Sequence, residues 1–297
     1  MVVLCLIWAL QQVALKATAV EISPTLQIAL RSGVAALLVW LFMVARRERM
    51  VWADGVWRPG LLVGLLFAVE FLLIGQGLNY TSASHMAVFL YTAPVFVALG
   101  LHILIPAERL AWPQWLGISL AFSGMAFAFL GGESSGSSDV AVSGMLWGDF
   151  LGVLAGLFWG ATTVVVRTTG LARLPATQTL LYQLGGAFVL LLPAAWLLDD
   201  FVFVPTLFGW SSLFFQTVVV GFASYLAWFW MLRHYLASRL GALSFLTPLF
   251  GVVLGVWLLQ EPLTLNFLVG SALVILGIIL VSGYEGLMAA RARFFSR

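Results

Sequence analysis

Apolar residues follow one another along this chain for the length of a membrane span at a time, and short clusters of Pro, Gly and charge punctuate the runs. The punctuation predicts helical spans over residues 2–20, 25–45, 60–79, 83–105, 112–131, 144–167, 175–198, 209–231, 236–259 and 263–284. A helix needs ~20 mostly apolar residues to cross a bilayer, and outer-membrane strands alternate apolar and polar positions instead. The expected fold class is therefore an all-α polytopic membrane protein with ten transmembrane helices. The longest polar stretch, GGESSGSSDVAVS at 131–143, reads as a flexible linker. It separates a first five-helix unit, 1–131, from a second, 144–297, with 132–143 between them.

The second unit repeats the first. Trp8, Lys16, Pro24 and Gln27 stand over Trp159, Arg167, Pro175 and Gln178 in one register, and Tyr80 and Thr92 over Tyr235 and Thr247, each pair 12 apart. Glu108, Gly117 and Gly124 recur as Glu261, Gly270 and Gly277 with the same spacings of nine and seven. Five spans per repeat is an odd number, so the second copy enters the membrane from the opposite side. An inverted-topology repeat is the hallmark of carriers that alternate access by exchanging the conformations of two pseudo-equivalent halves.

Composition agrees with the pattern: of 297 residues 62% are hydrophobic and 9% charged, and the mean hydropathy is +1.07, whereas soluble domains carry roughly a quarter charged residues. Of the 14 Lys and Arg residues, 12 fall on one side of the span assignment, leaving Lys16 and Arg31 opposite. Positive residues collect in the cytoplasm, so both termini are expected inside a cytoplasmic (inner) cell membrane. Ala17-Thr18-Ala19 imitates a signal cleavage site, but no basic segment precedes it and Gln11-Gln12 breaks the apolar core, so the first span is expected to remain. A net charge of +2 gives no case for nucleic acid, and the single Cys5 forms no internal disulfide or cysteine cluster. His85, His102 and His234 form no HExxH pair, and phosphate-loop and nucleophile-elbow motifs are missing. No enzyme activity, cofactor or metal is expected. The partners are the lipid bilayer and a small-molecule solute, and the oligomeric state stays open, a monomer included.

The pattern Gly77-Leu78-x-Tyr80-x-x-Ala83, then Pro94, Glu108, Gly117 and Gly124, echoed by Tyr235, Pro248, Glu261, Gly270 and Gly277, resembles the EamA-type exporters of the drug/metabolite transporter superfamily over the whole chain. In length and Trp content, 13 residues, it is similar to the YddG-type exporters of aromatic amino acids. The resemblance implies ten helices, with spans one to four and six to nine around a central cavity and spans five and ten peripheral. One departure is Tyr235-x-x-Ser238, followed by Arg239, in the second repeat.

Candidate substrate contacts come from polar and aromatic groups at mid-span. Trp8 with Gln11 and Gln12, and Trp159 with Thr162 and Thr163, put an aromatic ring and hydrogen-bonding groups on one helix face. They line a cavity or bond helix to helix. Glu70 reads as the one carboxylate deep in a span, either a proton or cation site or a paired structural acid. His85 shares a face with Phe89, Thr92 and Phe96, as a substrate contact or an interfacial histidine. Tyr91, Tyr182, Gln183, Tyr225, Trp228 and Ser244 complete the set. Pro94 and Pro248, at matched positions, are expected hinges, and Gly152, Gly156 and Gly160 a packing face. Arg31 and Lys16 read as snorkelling or end anchors, and Glu108 and Glu261 as acids at the positive ends of spans five and ten.

The expected function is an alternating-access exporter of small metabolites, foremost amino acids including aromatic ones, working by facilitated diffusion because Glu70 lacks a second deep acid. A proton-coupled exporter of cationic drugs is the alternative, and a channel or sensor a further one. The topology is checked with Ser135→Cys in a Cys5→Ala background: an impermeant thiol reagent should label it in intact cells, and labelling only after the membrane is opened would reverse the orientation.

Overall fold

The computed structural model describes residues 1–106, 109–130, 139–234, 244 and 246–295. Glu108, the motif residues Tyr235, Ser238 and Arg239, the first part of the ninth span and 131–138 of the expected linker lie outside them. Among the described residues the chain is helical and no strand forms; an isolated antiparallel bridge pairs Ile22 with Phe203. The helices are α1 (Val2–Ala17), α2 (Pro24–Ala45), α3 (Asp54–Tyr80), α4 (Ala83–Leu90), α5 (Ala93–Leu104), α6 (Trp112–Leu130), α7 (Asp139–Thr168), α8 (Ala176–Leu197), α9 (Leu207–Phe214), α10 (Tyr225–His234), α11 (Leu246–Leu259) and α12 (Leu265–Phe295). A π-helical segment, Phe215–Ser224, joins α9 to α10. Helix α7 begins at Asp139, inside the stretch read as linker.

These elements occupy the expected spans, and the fold is that of an all-α polytopic membrane protein. Six tracts, Pro24–Ala45, Gly55–Tyr80, Ala83–Leu104, Ser143–Thr168, Ala176–Leu197 and Leu207–Trp228, have the length and hydropathy to cross a membrane, and shorter apolar helices accompany them. Span four is divided: α4 stops at Tyr91, Thr92 turns its hydroxyl onto the carbonyl of Phe89 at 2.6 Å, and Pro94 opens α5. Proline fits there because a first-turn position has no intrahelical N–H bond to lose.

Packing follows the repeat. Helix α2 lies on α8 and α6 on α12, each pair being repeat mates, and α4 of span four lies on α11 of its mate, span nine. Other contacts occur in matched sets: α3 on α8 with α2 on the π segment, α4 and α5 on α7 with α1 on α11, and α3 on α7 with α1 on the π segment. A pseudo-twofold axis produces this arrangement. The sets are unequal, since α3 and α7 pack along their lengths while α1 touches the π segment sparsely. The end where α6 finishes and α7 begins is termed the linker end.

The crossing of α6 and α12 is the clearest product of the symmetry. A Cβ built on Gly117 would lie 2.7 Å from the carbonyl oxygen of Gly277, and one on Gly124 2.6 Å from that of Gly270. Because Gly117 is the mate of Gly270 and Gly124 of Gly277, the two contacts are one contact seen twice, as an isologous interface requires. In lipid, helices associate by close backbone approach at such small residues. Gly152, Gly156 and Gly160 of α7 likewise receive the divided fourth span: Cβ atoms there would meet Phe89 at 3.2 Å, Thr92 at 2.7 Å and Phe96 at 2.8 Å.

Overpacking a close crossing costs about 1–3 kcal/mol. Gly124→Leu should therefore lower the thermal unfolding midpoint in detergent by several degrees, whereas Gly185→Ala, with nothing within 4 Å of its Cβ position, should leave it equal or raised. Equal midpoints for Gly124→Leu and the parent chain would contradict the crossing.

Candidate functional site

Two groups of buried polar residues occupy different depths. The first lies at mid-span. Arg31 of α2 is 4% exposed and Glu70 of α3 5%. The guanidinium lies 4.6 Å over the ring of Phe71, so it turns into the bundle, and the expectation that Arg31 snorkels to the surface is corrected. Arg31 and Glu70 interact electrostatically with each other and with Tyr225 at the start of α10. Neither ion pair found among the described residues joins them, and Arg31 Nη1 and Glu70 Oε2 have no hydrogen-bond partner. Tyr91, in the break of span four, lies within the electrostatic reach of Glu70 and Tyr225, and the Trp159 ring of α7 stands edge-on to it at 5.1 Å. Thr247 of α11 is buried beside Tyr91. Spans two, three, four, six, eight and nine thus converge on one patch of unpaired charge walled by aromatic rings.

Trp8 belongs to a neighbouring contact. Its indole N–H donates to Ser224 Oγ at 3.0 Å and its ring meets Trp228 edge-on at 5.6 Å, both on the span that carries Tyr225. Gln11 and Gln12 are buried, with Gln12 Oε1 unpartnered. Thr162 is buried with a free hydroxyl, whereas Thr163 donates to the Trp159 carbonyl oxygen at 3.1 Å. Tyr182 is taken away from the patch: its ring and backbone fill the space over Gly60 and Gly64 where α8 crosses α3, beside the half-buried Gln183. Phe89 is fully buried among core side chains of α5, α6 and α12, and Ser244 is half-buried ahead of α11. Pro94 follows the break in span four, and Pro248 lies buried near the start of α11.

The second group gathers at the linker end, and the sequence reading missed its central member. Asp149 of α7, 2% exposed, accepts the hydroxyl of Thr81 and bonds His85 Nδ1 at 2.8 Å. Asp149 is thus a second buried carboxylate, nearer the membrane surface than Glu70, and it lay outside the candidate residues read from the sequence. His85 is a buried group rather than an interfacial one. Its ring stacks on Phe267 of α12, centroids 3.8 Å apart and planes 5° from parallel, with Phe89 edge-on at 6.1 Å.

Around this pair the chain ends of α3 and α4 meet, exposing terminal carbonyls and N–H groups. Lys16, expected as an end anchor, donates instead to the carbonyl oxygens of Leu78 and Thr81. Glu261, expected on the dipole of the tenth span, accepts from the N–H groups of Ala83 at 2.6 Å and Ser84 at 2.9 Å and from the Ser84 hydroxyl. The dipole argument was sound and the helix was wrong: α12 begins only at Leu265, and the nearest free helix start is that of α4. An acid in a run such as GMLWGDFLGV was the signal for Asp149.

The sequence pattern of the EamA-like transporter family matches this chain twice, over residues 1–130 and 146–283. An uncharacterized transporter of Bacillus subtilis, YoaV, is 24% identical over 281 residues, which cover 92% of each chain. An uncharacterized transporter of Archaeoglobus fulgidus is 26% identical over 282 residues, 92% of this chain and 94% of its own length. A WAT1-related chloroplastic protein of Arabidopsis thaliana is 26% identical over 285 residues, 94% of this chain and 67% of its own. One protein of known crystal structure shares the fold, with a TM-score of 0.65 over 94% of both chains at 20% identity.

Removing an acceptor from buried donors costs about 1–3 kcal/mol, so Glu261→Ala should lower the thermal midpoint, and Glu261→Gln, which keeps one acceptor oxygen, should lower it less. Indifference to both would separate Glu261 from the start of α4.

Proposed function

The chain belongs to the EamA-like transporter family, and from that premise we propose that it is an alternating-access exporter of small zwitterionic metabolites, amino acids including aromatic ones. The observation that carries this reading is the unpaired Arg31 and Glu70 at mid-span. A charge in the membrane interior is costly and is kept where it serves a substrate or ion path, and a buried pair of opposite sign stabilises only when it is directly bonded. Here each group keeps hydrogen-bonding capacity free. A guanidinium takes a carboxylate through two parallel bonds, a carboxylate takes an ammonium, and an α-amino acid brings both. Tyr91, Tyr225 and Trp159 supply the aromatic faces for its side chain, by stacking worth about 0.5–1.5 kcal/mol beyond area burial.

The same arrangement argues against an exporter of cationic drugs. Glu70 would suit a cation, but Arg31 interacts with that same carboxylate and would repel it. The inverted repeat, with its matched helix pairs, suits a carrier better than a channel.

In liposomes containing only this protein, radiolabelled phenylalanine should show saturable uptake stimulated by unlabelled phenylalanine on the far side. Phenethylamine, which lacks the carboxylate, and 3-phenylpropionate, which lacks the ammonium, should fail to stimulate it. Truncating one partner of a buried charge contact costs about 2–5 kcal/mol, so Arg31→Gln and Glu70→Gln should each raise the half-saturating concentration at least tenfold. Trp159→Ala should raise it several-fold. Exchange of phenethylamine in place of phenylalanine would favour the drug-exporter reading, and a non-saturating flux a channel.

A further inference from the structure

We propose that His85 and Asp149 form a proton-binding site whose occupancy favours closure of the linker end. The inference rests on the alternating-access reading and concerns neither the solute nor the mid-span patch.

The pair is built for one exchangeable proton. Asp149 Oδ1 is committed to the Thr81 hydroxyl and Oδ2 to His85 Nδ1, which fixes the neutral ring as the Nδ1–H tautomer and leaves Nε2 to gain or lose a proton. Stacking against Phe267 holds the ring in one plane. Side-chain exposures of 6% for His85 and 2% for Asp149 keep bulk water from screening the pair.

The charges brought by the packed elements give the proton its effect. Among the described residues, α1 contributes Lys16, bonded to the Thr81 carbonyl oxygen. The segment before α12 contributes Glu261, bonded to Ser84, next to His85. Helix α7 contributes Asp149, and α12 contributes only the Phe267 ring. Lys16 and Glu261 interact electrostatically. With His85 neutral, the group of one cation and two carboxylates carries one excess negative charge. With His85 protonated, two cations face two carboxylates and the sum is zero. An uncompensated charge away from water is expensive, and the four groups come from α1, α4, α7 and the segment before α12, so the assembled cluster exists only while the linker end is closed. Opening separates them into a higher dielectric, where the excess charge costs little. Closure therefore takes one proton from solution onto Nε2, while Nδ1–H stays donated to Asp149, and opening returns it from the same nitrogen. By linkage, acid favours the closed linker end and alkali the open one.

Both tests omit solute, so they stand or fall apart from the phenylalanine measurements. In detergent-solubilised protein labelled with ¹⁵N-histidine, the three histidines give separate imidazole signals, and His85 is assigned as the one lost in His85→Gln. The His85 signal is followed while the pH is lowered from 8.5 to 5.5, and gain of a proton at Nε2 is the expected result. Spin labels at Val20→Cys, in the turn after α1, and at Trp147→Cys of α7, in a Cys5→Ala background, span the linker end. Acidification over that range should raise the ratio of short to long distances at least tenfold, and Asp149→Asn, which keeps size and the Thr81 bond, should flatten the pH profile. A His85 ring that does not titrate in the parent chain, or a distance distribution independent of pH, overturns the proposal. A lowered thermal midpoint in Asp149→Asn with an unaltered pH profile assigns the pair to tethering α4 on α7 and overturns it likewise.

Discussion

Every interruption of a helix at membrane depth must find partners for the backbone groups it releases, because lipid offers none. Among the described residues the turn from α3 to α4, the break in span four and the π segment depart from regular helix, and much of the polar chemistry serves them. Between α3 and α4, Lys16 takes terminal carbonyls and Glu261 takes the first N–H groups. Within span four, Thr92 returns its hydroxyl to the Phe89 carbonyl while Gly156 admits the broken backbone at close range. In span eight the widened helical ladder of 215–224 lies against α1 and α2, with Ser224 donating back to the Val220 carbonyl at 2.7 Å. Breaks satisfied by side chains of other spans can exchange partners as those spans move, which an unbroken helix cannot do.

Much of this was legible in the chain. Apolar runs give the spans because hydropathy over a span length is the dominant constraint in lipid, and the matched spacing of Gly117, Gly124, Gly270 and Gly277 anticipated a relation that the α6–α12 crossing realises. Charges at span ends were harder. Snorkelling and insertion into a neighbouring helix begin from the same position, and only packing separates them: Arg31 meets Phe71, and Lys16 meets the end of α3. Asp149 was illegible through the repeat, since its counterpart would fall before residue 1. Glu261 was misassigned because a helix dipole is recognised from sequence only for the helix that follows, while the chain folds the acid onto another.

The symmetry that organises the bundle is imperfect, and the imperfections mark the chemistry. Repeat mates that only pack have stayed alike, as in the glycine crossing. Glu70 and its approximate mate Tyr225 differ, as do Arg31 and its mate Tyr182, and the first three of these gather at mid-span while Tyr182 fills a helix crossing. Gln27 and Gln178, both fully buried, keep one residue type in two uses: Gln178 bonds the N–H and carbonyl of Val51, whereas Gln27 bonds the Ile22 carbonyl and accepts from Gln216. A pseudo-twofold that fixes backbone paths leaves side chains on the axis free to diverge, because an axial residue meets its mate's surroundings only once.

The two buried groups divide the electrostatic work by depth. Around His85 at the linker end the charged groups are committed to bonds: Lys16 to carbonyls, Glu261 to N–H groups, Asp149 to His85 and Thr81. At mid-span Arg31 and Glu70 keep donors and acceptors free. Direct bonding makes the first group sensitive to whether the helices that carry it are together, and nearly indifferent to a solute deeper in the bundle. Free valence suits the second to the doubly charged solute proposed for it, and ties it only weakly to helix position. A carrier needs both sensitivities, and it needs them apart: a site that closed the gate and bound the solute with the same charges would hold the solute whenever the gate was shut.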